Sequence, residues 1–236
     1  MKAIFDHADQ EAGNIRTFWF KPSWPTSYAP GQYTELTLPI SNPDERSNKH
    51  WFTLSSAPEQ ALVSITTKYA GDDKSSAFKK YLFHELQPGA EVELAEPQGD
   101  FVLPEDSSTP LVFVAGGIGI TPYHSMLEWL ATAGMHRDIT LIYSVRAEEE
   151  IVFRDTFKRA GIEPIFVVAE PINSWTGERG QLNAARILDL AKPADGALLY
   201  LSGPEPMVMA LKDDLMQNGF TESRLKTDDF PGYTAI

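Results

Sequence analysis

The segment 111–130, LVFVAGGIGITPYHSMLEWL, constrains the fold of this chain more than any other. Its first five residues are apolar and predict a buried parallel strand, and the three glycines that follow predict a tight turn. Thr121 is a favourable N-cap residue and Pro122 suits the first helical position. Free N–H groups at a helix start attract anions, so the segment predicts a site for a dinucleotide pyrophosphate. A purely structural turn is the alternative interpretation.

Composition excludes several other kinds of protein. The 236 residues contain no cysteine, which rules out disulfides, thiolate catalysis and a cysteine-ligated iron–sulfur cluster within them. Five scattered histidines lack metal-ligand spacing, so we predict no bound metal. A net charge of −13 disfavours nucleic acid as a partner. No apolar run approaches the roughly 20 residues of a membrane span, and the first ten residues do not resemble a signal peptide, so we expect a cytoplasmic protein without a membrane span.

The two halves of the chain differ in pattern. Up to about residue 105, short alternating runs separated by turn signals predict an antiparallel barrel or sandwich, interrupted by one helix near 76–86. After Ser107-Ser108-Thr109-Pro110, strands and helices alternate, which predicts a doubly wound parallel sheet with helices on both faces. We therefore expect two domains, residues 1–107 and residues 108–236.

One strand of the first half combines aromatic and hydroxyl residues. In His50-Trp51-Phe52-Thr53, the side chains of Phe52 and Thr53 point to opposite faces of the strand. An aromatic ring can cover a flavin or its adenine, and a hydroxyl can bond a flavin ring atom. An ordinary strand ending in a serine-rich turn is the alternative. Further on, Ser75 or Ser76 can cap a helix whose N–H groups hold a second pyrophosphate, or can simply cap it.

Together these segments resemble the ferredoxin–NADP reductase superfamily over nearly the whole chain. The flavin motif of that superfamily, Arg-x-Tyr-Ser with a downstream Ser, reads His50-x-Phe52-Thr53 with Ser56. Its Gly-x-x-Ser motif is matched loosely by Gly71 through Ser75-Ser76.

The later motifs match in the same order. The nicotinamide loop Gly-Gly-x-Gly-x-Thr-Pro is matched fully by residues 116–122, and the late Cys-Gly-Pro-x-x-Met motif reads Ser202-Gly203-Pro204-Glu205-Pro206-Met207. The tail 228–233, DDFPGY, resembles the acidic-aromatic ending of some members.

This resemblance implies an FAD-binding antiparallel β-barrel followed by an NAD(P)-binding doubly wound α/β domain. It implies hydride transfer from NADPH or NADH to flavin N5, after which electrons leave for a separate acceptor such as ferredoxin, flavodoxin or an oxygenase. A reductase of free flavin, quinone or ferric chelates is one alternative, and an electron-transfer subunit of a larger complex is another. The oligomeric state is left open.

The resemblance also implies residue roles. The expected catalytic residues are Thr53, near flavin N5, and Ser202, near the transferred hydride. The residues expected to bind FAD are His50, Trp51, Phe52, Thr53, Ser56, Thr66, Thr67, Lys68, Ser75 and Ser76. Those expected to bind the nicotinamide nucleotide are Gly116, Gly117, Ile118, Gly119, Thr121, Pro122, Ser144, Arg146, Ser202, Gly203, Pro204 and Met207. Two tail aromatics are expected either to shield a cofactor or only to pack on the barrel, namely Phe230 and Tyr233.

Two departures from the superfamily pattern affect these expectations. His50 replaces an arginine, so FAD binding is expected to be weaker or pH-dependent unless Lys49 or Arg46 substitutes. Ser202 replaces a cysteine, so hydride transfer is expected to be slower but not abolished.

The choice between NADPH and NADH stays open. Ser144 and Arg146 suit a 2′-phosphate, with Arg154 or Lys158 nearby, and this favours NADPH slightly. The alternative is that Arg146 packs on adenine or pairs with Glu149 or Glu150.

Overall fold

The computed structural model describes residues 1–23, 27–41, 43–45 and 47–230. The chain folds as two compact units, Met1–Val102 and Leu103–Ile236, called here the barrel unit and the α/β unit. Among the described residues, none of the helices is both long and apolar enough to cross a membrane.

The barrel unit is a six-stranded antiparallel sheet with strand order β4-β3-β6-β1-β2-β5. The strands are β1 Lys2–Ala12, β2 Ile15–Pro22, β3 Tyr33–Thr37, β4 Lys49–Thr53, β5 Val63–Lys68 and β6 Glu91–Leu94. Just beyond β4, the backbone N–H of Ser55 donates to the carbonyl of Ser64 in β5 at 2.8 Å. This bond joins the two edge strands, so the sheet curls toward a closed barrel and its edges are protected.

Alternating side chains fill the inside of the curled sheet. Aromatic and aliphatic residues of the strands meet α1 (Ala77–Lys80) and the π-helical turn Tyr81–Glu85 that follows it; the fully buried members include Phe18, Phe20, Leu36, Leu38, Ile65 and Phe78. Ser76 caps this helix, since its Oγ accepts from the Lys79 N–H at 3.2 Å. The helix expected near 76–86 is therefore present, with its second half widened to π geometry.

The α/β unit is a parallel sheet with strand order β10-β9-β8-β7-β11-β12. The strands are β7 Leu111–Gly116, β8 Ile139–Val145, β9 Ile165–Val168, β10 Glu178–Arg179, β11 Leu198–Pro204 and β12 Leu225–Phe230; the helices are α2 Thr121–Ala133, α3 Arg154–Arg159, α4 Ala184–Ala191 and α5 Glu205–Gln217. The chain runs outward from β7 to β10 and then returns to place β11 beside β7. An antiparallel barrel followed by a doubly wound sheet is thus confirmed.

Helices cover both faces of the parallel sheet. On one face, Tyr123 of α2 stacks on Phe113 of β7 with ring centroids 4.5 Å apart, and Phe157 of α3 packs against Tyr143 of β8. On the other face, strand residues pack against buried residues of α4 and α5. The strand residues include Val112, Val114, Ile142, Val167, Leu199 and Leu201, and the helix residues include Ala184, Ile187, Val208 and Leu211. Successive residues of a strand therefore pack against helices on opposite faces of the sheet, as expected for a sheet covered on both sides.

The prediction that Thr121 caps α2 is wrong. A 3-10 turn, Gly117–Ile120, runs directly into the helix, so Thr121 already has helical angles, φ −60° and ψ −44°. Its Oγ1 donates to the carbonyl of Ile118 at 3.1 Å instead of accepting from a helix N–H. Pro122 lies within the first two positions of the helix, where its missing N–H costs nothing.

His124 is a polar residue in the layer between α2 and α3. Its ring stacks on Phe153 with centroids 3.7 Å apart and planes 3° from parallel. Its buried Nδ1 has no hydrogen-bond partner among the residues that the structure describes. Burial lowers the pKa of His124 to about 4, so the ring is neutral in the folded protein at pH 7.

This lowered pKa makes stability depend on pH in a defined window. The unfolded chain takes up a proton at His124 near pH 6.5, whereas the folded chain does so only near pH 4. Between these values the free energy of unfolding should fall by about 2 to 3 kcal/mol because of this group. His124→Phe keeps the stacking but has no imidazole to protonate, so its free energy of unfolding should fall less between pH 7 and pH 4 than that of wild type. Urea unfolding followed by tryptophan fluorescence measures this fall. Replacing the exposed His136 by Gln is the control, and equal profiles for His124→Phe and wild type would contradict the argument.

Candidate functional site

Two glycines allow backbones to touch where β7 and β11 end. A Cβ on Gly119 would lie 2.3 Å from the carbonyl oxygen of Ser202 and 2.5 Å from the nitrogen of Gly203. A Cβ on Gly203 would lie 2.6 Å from Cε of Met207 and 3.1 Å from the carbonyl oxygen of Gly116. The glycine loop and the Ser-Gly-Pro-x-x-Met segment, predicted separately as site residues, therefore meet at one point of the fold.

This meeting point is the topological switch point of the sheet. β7 and β11 are neighbours, with Ser202 opposite Ala115, yet their following segments lead to opposite faces, α2 on one and α5 on the other. In open α/β sheets, the crevice beyond the carboxyl ends of such strands is the usual ligand site. The side chains of Ile118, Thr121 and Pro122 are buried. These three residues shape the loop from within.

Ser202 lies fully buried in β11 and is paired in register with Asp228 of β12. The Ser202 Oγ donates to the Asp228 carboxylate at 3.5 Å, a long and weak hydrogen bond. Two residues on, Pro204 is opposite the half-buried Phe230, which ends β12. The other tail aromatic named above, Tyr233, falls outside the described residues. The structure thus adds a carboxylate beside the residue that takes the place of the superfamily cysteine.

A cavity of about 360 Å³ opens beside this point in the α/β unit. It is lined by Ser144, Ala169, Gln181, Leu182, Pro206, Met207, Ala210 and Leu211. Ser144 is buried at the end of β8, and Met207 links the cavity to the glycine loop through its contact with Gly203. The lining is mostly apolar with a few polar groups, which is the usual character of a small-molecule site.

Arg146 stands exposed near the cavity and pairs with Glu170, its Nε 3.1 Å from Oε2. The sequence-based alternative had named Glu149 or Glu150 as the partner, so this ion pair differs from that expectation. Arg154 lies with its guanidinium 4.8 Å from the centre of the Phe166 ring. Phe166 belongs to the face covered by α2 and α3, whereas Ser144 is paired with Val167 of the other face. Arg154 is therefore separated from the cavity by the sheet.

In the barrel unit, an aromatic cluster surrounds the residues of the flavin-like motif. The Phe52 ring stacks on Phe78 with centroids 5.7 Å apart, and His50 meets Phe78 edge-on at 4.5 Å. Lys79 lies with its Nζ 5.0 Å from the centre of the Phe52 ring and donates to Thr67 Oγ1. Lys79 was not among the predicted site residues. The sequence feature that could have identified Lys79 is its position on the first turn of the helix that Ser76 caps.

Thr53 presents a buried hydroxyl with an unmet hydrogen-bonding capacity. The residue is 3% exposed, and its Oγ1 has no hydrogen-bond partner among the residues that the structure describes. Such a group costs about 1 to 3 kcal/mol unless something pairs with it. The neighbouring strand offers a contrast, since the equally buried Thr34 donates to the carbonyl of Ala95 at 2.9 Å.

A chain of hydroxyls runs along the same part of the barrel unit. Ser55 Oγ bonds Thr66 Oγ1 at 2.9 Å, Thr66 bonds Thr17 at 2.8 Å, and Thr17 donates to the Glu11 carboxylate at 2.6 Å. Partial burial raises the pKa of Glu11, and the bond from Thr17 opposes this rise. Thr66, expected to line FAD, is thus engaged in an internal network that fixes its side chain.

The remaining predicted residues of this unit have varied surroundings. Ser56 Oγ is committed to Tyr28 at 2.8 Å and accepts from the Ser64 N–H at 2.9 Å, so it holds the barrel together. Ser75 Oγ accepts from the Ala70 N–H at 3.2 Å and fixes the turn before α1. Trp51 is 51% exposed and meets Tyr33 edge-on. Lys68 is only half-buried at the end of β5.

Of the cations proposed to replace the superfamily arginine, Lys49 is engaged elsewhere and Arg46 falls outside the described residues. Lys49 Nζ lies 3.5 Å from the Glu35 carboxylate. Lys79, beside Phe52 and Thr67, is the better placed cation.

The two glycines of the loop should respond differently to alanine. Gly119→Ala forces a Cβ against the Ser202 carbonyl and should destabilise the α/β unit by about 3 kcal/mol or more. Gly117→Ala is the matched control, because nothing lies within 4 Å of its Cβ and only its φ of +52° is strained, at about 1 kcal/mol. Urea unfolding measures both differences. Equal effects, or a larger one at Gly117, would show that the close approach is not the main constraint.

Comparison with known proteins agrees with this geometry. Residues 113–213 match the model of the oxidoreductase NAD-binding domain family. The chain is 30% identical to the stachydrine N-demethylase reductase subunit Stc4 of Rhizobium meliloti, over 94% of this chain and 65% of that protein. It is 29% identical to the glycine betaine monooxygenase reductase subunit of Chromohalobacter salexigens, over 94% of this chain and 61% of that protein. The chain thus spans less than two thirds of the length of these relatives.

Solved structures share the whole fold. The Amycolatopsis cytochrome P450 reductase GcoB superposes with a TM-score of 0.83 at 22% identity, covering 99% of this chain and 71% of that one. The FAD/NAD-binding domain of the nitric oxide dioxygenase of Vibrio cholerae superposes with a TM-score of 0.82 at 22% identity, covering 97% and 98%. With its glycine loop seated against Ser202-Gly203 at the switch point, the chain has an oxidoreductase NAD-binding segment and shares the fold of these two proteins.

Proposed function

We propose that this chain is an NAD(P)H-dependent flavoprotein oxidoreductase that passes electrons to a separate acceptor. The barrel unit holds FAD and the α/β unit holds the nicotinamide nucleotide. The cofactors supply the redox chemistry, a hydride moving from nicotinamide C4 to flavin N5. The observation that carries the proposal is the contact of the glycine loop with Ser202-Gly203 at the switch point of the parallel sheet.

The α/β unit has the features that a dinucleotide requires. Backbone N–H groups at 116–119 bind the pyrophosphate, because three of these four residues are glycines and the side chain of Ile118 is buried away from the loop surface. The cavity of about 360 Å³ receives the adenosine part, with Ser144 as a polar group in its wall. Ser202 and Asp228 lie beside the strand end and orient the nicotinamide.

The barrel unit has a group that fits the flavin ring. The buried Thr53 Oγ1 supplies a hydrogen bond for which the surrounding protein provides no partner among the described residues. Phe52, on the opposite face of β4, packs on Phe78 in the aromatic cluster and would hold FAD through its ring. Lys79, beside Phe52 and Thr67, would take the role of the replaced arginine toward the FAD phosphates.

Names of relatives favour an oxygenase component as the electron acceptor. Two relatives are called reductase subunits, one of an N-demethylase and one of a monooxygenase. The 236 residues contain no cysteine, so a cysteine-ligated iron–sulfur relay between flavin and oxygenase lies outside them. Ferredoxin or flavodoxin is the second candidate acceptor. The cytoplasmic location and the open oligomeric state stay as expected from the sequence.

Anaerobic reduction tests this proposal directly. Protein incubated with FAD and freed of excess should stay yellow, and its flavin absorbance should bleach when NADH or NADPH is added. Admission of a flavodoxin, a ferredoxin or free FMN then separates a protein acceptor from the free-flavin alternative by their rates of reoxidation. Protein that neither retains FAD nor oxidises either nucleotide would contradict the proposal.

Thr53→Val separates the proposed role of Thr53 from a structural one. Removing an unpaired buried hydroxyl should raise the free energy of unfolding of the FAD-free protein by about 1 kcal/mol. The same change should slow flavin reduction about tenfold, the equivalent of one lost hydrogen bond in the transition state.

Thr34→Val is the matched control for this variant. It breaks the satisfied bond to Ala95 and should lower stability while leaving the rate of flavin reduction unchanged. If Thr53→Val lowers stability as Thr34→Val does, the hydroxyl of Thr53 has a structural partner and the assigned role is wrong.

A further inference from the structure

An ion pair stands at the edge of the α/β cavity and is fixed by the backbone. The β8–β9 ladder continues past the named strand ends, since the Ala169 N–H donates to Val145 at 2.9 Å and the Glu170 N–H donates to Arg146 at 2.8 Å. This register puts Ala169 opposite Arg146 and Glu170 one residue further along, and the side chains of Arg146 and Glu170 meet at 3.1 Å. Ala169, next to Glu170, lines the cavity together with Ser144.

The basic residues within α4 and α5 have carboxylate partners of their own. Arg186, the cation of α4, pairs with Glu178 at 2.8 Å. Lys212, the cation of α5, pairs with Glu222 at 3.0 Å. Arg154 is on the opposite face of the sheet, where it stacks on Phe166. Three glutamates, 148–150, follow Arg146 after a single alanine and add negative charge to this part of the chain.

The two nucleotides differ at a group that this edge would meet. The adenosine ribose of NADPH carries a 2′-phosphate with nearly two negative charges at pH 7. The same ribose of NADH carries a neutral 2′-hydroxyl that can donate a hydrogen bond. Sites for the phosphate use an available arginine, and sites for the hydroxyl use a carboxylate. Here the arginine is already neutralised by Glu170, and a further carboxylate charge surrounds it.

We propose that the α/β unit selects NADH and that Glu170 is the specificity-determining residue. Its carboxylate neutralises Arg146, accepts the ribose 2′-hydroxyl and repels a 2′-phosphate. Discrimination arises as much from this repulsion as from the new bond. The inference rests on the dinucleotide site proposed above, and it opposes the slight preference for NADPH drawn from Ser144 and Arg146 alone.

Binding of two small probes to the full chain tests this selectivity without any redox reaction. 5′-AMP and 2′,5′-ADP differ only by the 2′-phosphate, and calorimetry at low ionic strength gives the dissociation constant of each. Wild-type protein should bind 5′-AMP about tenfold more tightly than 2′,5′-ADP. Glu170→Gln keeps the size of the side chain, frees Arg146 and should shift this ratio by about tenfold toward 2′,5′-ADP.

Glu222→Gln is the matched control, because it removes the same charge from the ion pair of Lys212, outside the cavity lining. Its ratio should equal that of wild type. If wild type binds 2′,5′-ADP more tightly than 5′-AMP, or if Glu170→Gln leaves the ratio of the two dissociation constants unchanged, the proposed NADH selectivity is wrong. The proposed dinucleotide site is not affected by either result. Failure of both probes to bind would overturn the dinucleotide site and the selectivity with it. In the anaerobic assay, NADH should reduce wild-type flavin faster than NADPH, and Glu170→Gln should narrow that difference.

Discussion

The α/β unit depends on a contact in which backbone touches backbone without a side chain between. Gly119 approaches the Ser202 carbonyl and Gly203 so closely that a Cβ at Gly119 would overlap the next strand. This approach allows β7 and β11 to be neighbours while the 3-10 turn leads into α2 on one face and Pro204 leads into α5 on the other. The crevice between the two strand ends is a consequence of that branching. Its polar surface is main chain, which suits a phosphate whose charge is shared among many N–H groups.

The barrel unit differs from the α/β unit in that its interior buries many hydroxyl groups. Ser55, Thr66 and Thr17 satisfy one another in a chain, and Ser56 is bonded to Tyr28. The Thr53 oxygen differs from these groups, since it has no hydrogen-bond partner in the described part of the chain, whereas the buried Thr34 in the next strand is bonded to Ala95. A buried hydroxyl of this kind lowers the stability of the ligand-free protein. A ligand that forms a hydrogen bond with the Thr53 hydroxyl removes this destabilisation while it is bound.

Much of this architecture could be predicted because it depends on local pattern. Apolar runs and turn residues predicted most strands of both sheets, though not β1 or β10, and the alternation of the α/β unit. The helix cap was predicted at Ser75 or Ser76, and it is Ser76. Thr121 was misjudged, because a 3-10 turn that continues into a helix leaves the sequence signals of a cap unchanged. The partner of Arg146 could not be foreseen at all. It depends on the register between two parallel strands separated by α3, and that register is fixed by packing rather than by any nearby residue.

The same dependence on register explains why the charge pattern of the sequence is a poor guide to the site. Arg46, Lys49 and Arg154 seemed suitable from their positions along the chain, yet Lys49 is paired with Glu35 and Arg154 lies across the sheet from the cavity. The sequence did not single out Lys79 as a site residue, but the first turn of α1 places it over the Phe52 ring. In a chain of net charge −13, a cation near a phosphate site has an effect only if no carboxylate neutralises it first. Arg146 does not meet this condition, because the Glu170 carboxylate pairs with it. The response of the α/β unit to a phosphate therefore depends on the partner that the strand register gives to this cation, and not on the cation alone.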